Sequence, residues 1–222
     1  MKYLIKLKNF FVSLVFPEVC LGCGTDNELL CYKCIAKIPI GSLDKNQKLL
    51  VVDEYIDQVW IVCDYDVQIV HDLVFAAKFY GSHDACRILG EIIWRFWDDY
   101  DISDYYKNKS FDLVPVPLHH IRKRQRGFNQ SELIAKVVAE KVKMPVNNFL
   151  QRKRHTTQQV KLNADMRKQN VNNCFVTKQG GVPENCLLVD DVVTTGATIN
   201  DAARALKQAG ARCVNALIVA KH

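Results

Sequence analysis

Residues 187–198 read LLVDDVVTTGAT, and this stretch is the most informative part of the sequence. The apolar run before Asp190 predicts a buried strand over 186–190, and the pattern beyond Thr198 predicts a helix over 199–209 that ends at Gly210. Open α/β sheets bind ligands at the carboxyl ends of their strands. The stretch therefore predicts an α/β domain with a ligand site at the turn between this strand and this helix.

The turn combines two kinds of ligand-binding group. The carboxylates of Asp190 and Asp191 can only accept hydrogen bonds, so they suit the hydroxyl groups of a diol. The small and hydroxyl-bearing residues that follow let backbone amides and a helix N-terminus hold a phosphate. The predicted phosphate-binding residues are Val192, Val193, Thr194, Thr195, Gly196, Ala197 and Thr198. A diol site about one sugar away from a phosphate site indicates a ribose 5-phosphate; an ordinary Asx turn with a helix cap explains Asp191 alone.

Strand-like and helix-like segments alternate through the rest of the chain. Strands are predicted over 59–65, 112–117, 175–178 and 213–220, and helices over 69–78, 85–97 and 131–143. This order predicts a mainly parallel sheet with flanking helices. The polar stretch 151–173 has no sustained periodicity, which is typical of a long loop or hairpin that serves as an active-site lid.

Four of the nine cysteines form two C-x-x-C pairs separated by seven residues. Cys20, Cys23, Cys31 and Cys34 thus match the four thiolates that a structural zinc site needs, and they leave no open position for a substrate. A redox site needs only one such pair. We therefore expect a small N-terminal helix and zinc module over 1–50 and an α/β domain over 51–222.

Composition and charge exclude several classes of protein. The chain is 49% hydrophobic and 24% charged, as in globular proteins, and it contains no apolar run long enough to cross a membrane. Residues 1–16 resemble an amphipathic helix more than a signal peptide, which favours a cytoplasmic protein. Residues 118–170 carry thirteen basic and three acidic side chains, a net +10. This concentration predicts a polyanion site, with Arg122, Arg126 and Gly127 on a basic loop, and both polyphosphate and nucleic acid fit it.

Several motifs occur in an order that resembles the ComF family, whose members are also called GntX-type. They are the two cysteine pairs, KFYG at 78–81, PVPL at 115–118, RGFNQSE at 126–132, the run 152–170 and VDDVVTTGAT at 189–198. The family consists of proteins with a type I phosphoribosyltransferase-like fold that are linked to DNA uptake in natural competence. This chain departs from the common family pattern at Ser82, where an acid is usual, and at 156–159, where a proline is absent.

The resemblance implies a site for phosphoribosyl pyrophosphate with Mg²⁺. Asp190 and Asp191 would hold the ribose hydroxyls and 194–198 the 5′-phosphate, with a pyrophosphate loop in 115–127 and a lid in 152–170. Further ligand contacts are then expected from Lys78, Gln158, Gln159 and Arg167.

Two functions follow from these expectations. One is a phosphoribosyltransferase that transfers the pentosyl group to an unknown acceptor. The other is a non-catalytic, single-stranded DNA-binding competence factor that keeps the fold for ligand sensing and works with DNA-uptake proteins. A regulatory protein with an effector domain is disfavoured, because the sequence contains no helix-turn-helix pattern.

Overall fold

The computed structural model describes residues 19–41, 55–153, 173–178 and 180–222. The chain divides into two compact units, Met1–Ile38 and Pro39–His222. In the first unit, the described residues include one short helix, α1 (Tyr32–Ile35). Among the described residues, no helix is both long enough and apolar enough to span a membrane.

The second unit is built on a four-stranded parallel sheet with the order β1-β6-β5-β2. The strands are β1 (Gln58–Asp64), β2 (Asp112–Pro115), β5 (Asn185–Val193) and β6 (Cys213–Lys221). The apolar runs in β5 and β6 are almost completely buried, as expected for parallel strands that are covered on both faces. The predicted parallel α/β architecture is therefore confirmed.

Helices cover the sheet. They are α2 (Gln68–Phe79), α3 (His83–Asp99), α4 (Ile102–Tyr106), α5 (His120–Arg126), α6 (Gln130–Val142) and α7 (Ala197–Gln208). Helices α3 and α6 pack closely where Gly90 faces Val137, since a Cβ at Gly90 would lie 2.7 Å from the Val137 Cβ. The apolar side of α7 joins a core formed with β5, β6 and β1.

Two short strands form a separate antiparallel pair, β3 (Leu150–Arg152) and β4 (Phe175–Thr177). The segment predicted as a loop from residue 151 thus starts within a strand. The Asp201 carboxylate on α7 fixes the return strand, because it accepts hydrogen bonds from the backbone N–H groups of Asn173, Cys174 and Phe175 at 2.7–2.9 Å. The strand that follows the predicted lid is therefore anchored on the helix after the ligand-binding turn.

Candidate functional site

The predicted ligand-binding turn joins β5 to α7, but the strand is longer than its apolar run indicated. Asp190, Asp191, Val192 and Val193 all lie within β5, and Val192 and Val193 pair with residues of β6. The predicted strand end at Asp190 is thus wrong, because β6 continues alongside and supplies hydrogen-bond partners to these residues. The turn itself comprises only residues 194–196.

Gly196 ends the turn and starts the helix. Its φ of 78° is in the left-handed region, where a residue with a Cβ is strained. Helix α7 begins at the next residue, Ala197, and its first turn carries no acidic side chain. The N–H groups at the start of a helix have no acceptor within the helix, so they are available to an anion. Among the predicted phosphate-binding residues 192–198, these N–H groups belong to the turn and the first residues of α7.

Asp190 is held by the start of helix α6. The Ser131 hydroxyl donates a hydrogen bond to Asp190 Oδ1 at 2.8 Å, and the Asp191 backbone N–H donates to the same oxygen at 2.9 Å. Burial and the neighbouring Asp191 charge raise the pKa of Asp190 to about 7, while the Ser131 hydrogen bond opposes this rise. Ser131 lies within the RGFNQSE motif, but only its contact with a carboxylate 59 residues away reveals this role.

Asp191 has a separate partner. Its Oδ1 lies 3.1 Å from the Lys78 Nζ, and both side chains are largely buried. Lys78 is in the last turn of α2, and the Gln130 amide of α6 donates a hydrogen bond to the carbonyl of the preceding Ala77 at 3.1 Å. The structure therefore places Lys78, which the sequence suggested only by resemblance, directly on one of the two carboxylates.

The segment predicted as a basic loop contains helix α5. The His119 side chain accepts a hydrogen bond from the Ile121 N–H at its start, and Gly127, with a φ of 84°, ends it. Basic side chains in its last turn face the negative end of the helix dipole, which favours the helix over a loop. Arg122 and Arg126 therefore project from a helix, whereas Gly127 serves as its C-cap.

Arg126 is near enough to Asp191 for the two charges to interact. Burial lowers its pKa, and the nearby charge of Asp191 opposes this change. A cavity of about 430 Å³ lies beside it. Its lining residues are Lys78, Phe79, Tyr80, Gly81, Arg122, Gln125 and Arg126. This basic cavity joins residues from the end of α2 to residues of α5, which are separated by more than 40 positions in the sequence.

Arg152 at the end of β3 is a further basic residue near the site. Burial and the Arg122 charge lower its pKa, whereas the Asp190 and Asp201 charges act in the opposite direction. Its guanidinium also lies 5.3 Å from the ring centroid of Phe175. The sequence predicts Arg152 only as the first residue of the lid over 152–170. The predicted lid contacts Gln158, Gln159 and Arg167 lie outside the described residues.

The four predicted zinc ligands lie together in the first unit. The Sγ atoms of Cys20, Cys23, Cys31 and Cys34 are all within 4.8 Å of one another. The 3.7 Å between Cys23 Sγ and Cys31 Sγ agrees with the separation of about 3.8 Å expected for thiolates around tetrahedral Zn²⁺. Burial alone raises the pKa of Cys20, but N–H groups of Cys31, Cys23 and Gly22 lower it to about 6. This donor set can bind a metal such as zinc.

Comparison with known proteins agrees with this geometry. Residues 129–222 match the family described as "Phosphoribosyl transferase domain". The chain is 30% identical over 202 residues to "Competence protein F" of Haemophilus influenzae, which covers 88% of this chain and 80% of that protein. It is 29% identical over 202 residues to "DNA utilization protein YhgH" of Escherichia coli, covering 88% and 81%. It is 35% identical to "Competence protein ComFC" of Bacillus subtilis over 127 residues, which cover 54% of this chain and 49% of that protein.

The parallel sheet, the turn after β5 and the domain match define a phosphoribosyltransferase-like protein. Within that class, the similarity along most of the chain to competence and DNA utilization proteins identifies the family. This chain belongs to the ComF family.

Proposed function

We propose that this chain binds phosphoribosyl pyrophosphate, or a related ribose phosphate, at the turn between β5 and α7. Asp190 and Asp191 accept hydrogen bonds from the ribose hydroxyls, and the amides of residues 194–198 hold the 5′-phosphate. The observation that carries the proposal is the arrangement of this short segment. Two carboxylates near the end of a central parallel strand are followed, five residues after Asp191, by the glycine that starts a helix.

Basic residues next to Asp191 suit the pyrophosphate group. Lys78 already contacts Asp191, while Arg122 and Arg126 line the adjoining cavity. Mg²⁺ would arrive with the pyrophosphate, since it keeps several of its own water ligands and needs few protein ligands. As a phosphoribosyltransferase, the protein would promote cleavage of the bond between the anomeric carbon and pyrophosphate and formation of a bond to an acceptor. Neutralisation of the departing pyrophosphate by these cations is the contribution expected of the protein.

Calorimetric titration with phosphoribosyl pyrophosphate and Mg²⁺ tests the binding site. The Asp190→Asn/Asp191→Asn variant should bind at least about 100-fold more weakly, because two buried charged acceptors are lost. Asp98→Asn/Asp99→Asn is the matched control, since it neutralises an adjacent, exposed pair at the end of α3. Equal affinity of the wild type and the Asp190/Asp191 variant would contradict the proposal.

A second measurement tests turnover. Release of pyrophosphate from phosphoribosyl pyrophosphate should be followed alone and with nucleobases, nucleotides and single-stranded DNA as acceptors. Stimulation by one acceptor class supports the transferase. Tight binding without release under all these conditions favours the non-catalytic alternative, in which the site senses a ligand.

We also propose that Cys20, Cys23, Cys31 and Cys34 hold a structural zinc ion in an N-terminal module spanning 1–50, with the phosphoribosyltransferase-like domain spanning 51–222. Zinc folds such small modules because the metal ligands provide most of their stabilisation. Metal analysis should find one zinc per chain, and Cys20→Ser/Cys31→Ser should remove it without loss of phosphoribosyl pyrophosphate binding. Zinc-free wild-type protein with an unchanged N-terminal module would contradict this assignment.

The names of the relatives suggest the biological setting. Competence protein F and DNA utilization protein YhgH point to uptake or use of DNA, and we propose that this chain acts there, in the cytoplasm, with DNA-uptake proteins. The non-catalytic alternative is favoured by one further observation. Helix α5 presents a cluster of basic side chains, described above, that suits the phosphates of single-stranded DNA.

A further inference from the structure

A continuous series of aromatic rings lies along the outer side of α2. Its rings are His222, Tyr65, His71, Phe75, Phe79 and Tyr80, which we call the aromatic ribbon. The successive ring centroids are 5.0 Å apart for His222 and Tyr65, 5.2 Å for Tyr65 and His71, and 6.2 Å for His71 and Phe75. Phe75 then lies 4.6 Å from Phe79 and 5.6 Å from Tyr80.

The ribbon becomes more exposed toward the end of α2. Phe75 is 39% exposed, Phe79 63% and Tyr80 78%. Rings buried in a core are inaccessible to a partner, whereas each of these three residues is more than a third exposed. Neighbouring exposed aromatic side chains indicate an interaction surface, because contiguous apolar patches on a protein surface often mark binding sites.

The most exposed part of the ribbon also forms one wall of the basic cavity. Phe79 and Tyr80 line it together with Lys78, Arg122 and Arg126. Flat apolar rings and guanidinium groups thus face the same space. Bases of a single strand stack on aromatic rings while its phosphates contact basic side chains, so this combination fits unpaired nucleic acid.

Charge indicates which end of the ribbon a polyanion occupies. At the end near the sheet, Asp66 lies beside Tyr65 in sequence and the Asp72 carboxylate is 3.1 Å from His71 Nδ1. At the other end, α5 carries Arg122, Lys123, Arg124 and Arg126. Acidic groups repel a phosphate backbone and basic groups attract it. The cavity end is therefore the end that suits nucleic acid, whereas a purely apolar protein partner would have no need of this basic cluster.

We infer that Phe79 and Tyr80 stack the bases of a single-stranded nucleic acid whose phosphates contact Arg122 and Arg126. The strand end is thereby brought beside Lys78 and the Asp190/Asp191 site; this last step rests on the proposed function. Nucleic-acid binding at the ribbon itself does not depend on it. The basic segment 118–170 contains two Phe residues, Phe128 and Phe149, and no Tyr or Trp. The stacking rings come instead from the end of α2, more than 40 residues before the arginines of α5.

Fluorescence anisotropy with a labelled oligothymidylate and the full chain tests this surface at low salt. Phe79→Ala/Tyr80→Ala should weaken binding at least about 30-fold, since each stacked base contributes about 1–3 kcal/mol. Phe79→Trp should retain it, because a larger ring still stacks. Tyr105→Ala is the matched control: this residue is 40% exposed on α4, outside the ribbon, and its loss should change binding less than about twofold.

Arg122→Gln/Arg126→Gln should make the plot of log affinity against log salt concentration less steep, by about one to two in slope, because two phosphate contacts are lost. An oligouridylate of equal length in the same assay distinguishes DNA from RNA as the preferred strand. Unchanged oligonucleotide binding by the Phe79/Tyr80 variant overturns the inference. A second outcome also overturns it: the wild type self-associates but does not bind the oligonucleotide, and the Phe79/Tyr80 variant no longer self-associates. The ribbon would then be a protein interface.

Calorimetry with phosphoribosyl pyrophosphate on the wild type separates the two proposals. If the wild type fails to bind this ligand but binds the oligonucleotide through Phe79 and Tyr80, the proposed function fails and the ribbon assignment stands. If the wild type binds phosphoribosyl pyrophosphate but the Phe79/Tyr80 variant binds the oligonucleotide as well as the wild type does, only the ribbon assignment is overturned. Thermal unfolding of each variant confirms that the fold is intact.

Discussion

The turn after β5 and the basic cavity are both suited to anions, but they are built in different ways. The site at the turn takes the carboxylates of β5, the glycine and the helix start from one continuous stretch, residues 190–198. The cavity takes Lys78 and its aromatic wall from α2 and its arginines from α5. A site of the first kind is visible in a sequence, whereas one of the second kind appears only when the helices are packed together.

This difference has an energetic counterpart. Backbone amides in the turn are fixed by the path of the chain, so an anion gains from them without ordering long side chains. The cavity relies on lysine and arginine side chains, which lose conformational freedom when they bind. We therefore expect changes in the turn to have the larger effects on ribose phosphate binding.

The largest effect is expected for Gly196→Val. A β-branched side chain at a φ of 78° strains the turn and moves the amides away from the phosphate. Loss of about two such hydrogen bonds weakens phosphoribosyl pyrophosphate binding by at least about 100-fold. Gly210→Val is the control, because Gly210 also has a positive φ, 109°, but lies at the other end of α7. Equal losses of affinity in the two variants would show that backbone strain, and not loss of phosphate contacts at the turn, weakens binding.

Lys78→Gln tests the link between the two regions. It removes the cation 3.1 Å from Asp191 and one positive charge from the cavity. We expect phosphoribosyl pyrophosphate to bind about 30-fold more weakly, as for loss of about 2 kcal/mol from a charged hydrogen bond. Lys141→Gln, which breaks the 3.7 Å pair with Glu91, should leave the affinity unchanged in the same calorimetric titration. If both variants bind like the wild type, Lys78 does not serve the site.

The raised pKa of Asp190 predicts a pH dependence of folding. Because its pKa in the folded chain is about 7 against an ordinary 3.8, the folded chain retains a proton between about pH 4 and 7 that the unfolded chain has lost. The contribution of Asp190 to the free energy of unfolding therefore falls as pH rises through this window.

Asp190→Asn removes this contribution. The variant should be more stable than the wild type at pH 8, by up to about 4 kcal/mol, and equally stable near pH 4. Denaturant unfolding at several pH values measures the difference, with the exposed Asp98→Asn variant as control. A constant difference at all pH values would contradict the assignment of the proton to Asp190.

The smallest effect is expected for Ser131→Ala. Without the hydroxyl that donates to Oδ1 at 2.8 Å, the pKa of Asp190 should rise further. Phosphoribosyl pyrophosphate should bind about threefold more weakly at pH 7, and the difference should shrink toward pH 9, where Asp190 is ionised in both proteins. Ser131→Thr keeps a hydroxyl and should restore the wild-type pH profile; a pH-independent loss would indicate a merely structural role for Ser131.

The regular parts of the fold could be predicted closely because their hydrophobic patterns are local. The predicted strand over 213–220 and the observed Cys213–Lys221 differ by one residue, and the predicted helix over 131–143 is observed as Gln130–Val142. Errors occurred where a neighbour or a cap decided the outcome. Strand β5 continues past Asp190 because β6 lies beside it, and residues 120–126 are helical because His119 and Gly127 cap them.

By itself, the sequence determined the parallel α/β class, the cluster of four cysteines and the position of the segment 187–198. Each depends on residues close together in the chain, so their side-chain types and spacing are enough to predict it. Only the tertiary structure decided that Ser131 holds Asp190, that Lys78 holds Asp191 and that Phe79 and Tyr80 face the arginines of α5. The physical reason is that such contacts join residues on separate helices and strands. Their distances are set by how the helices pack on the sheet, and no local pattern encodes them.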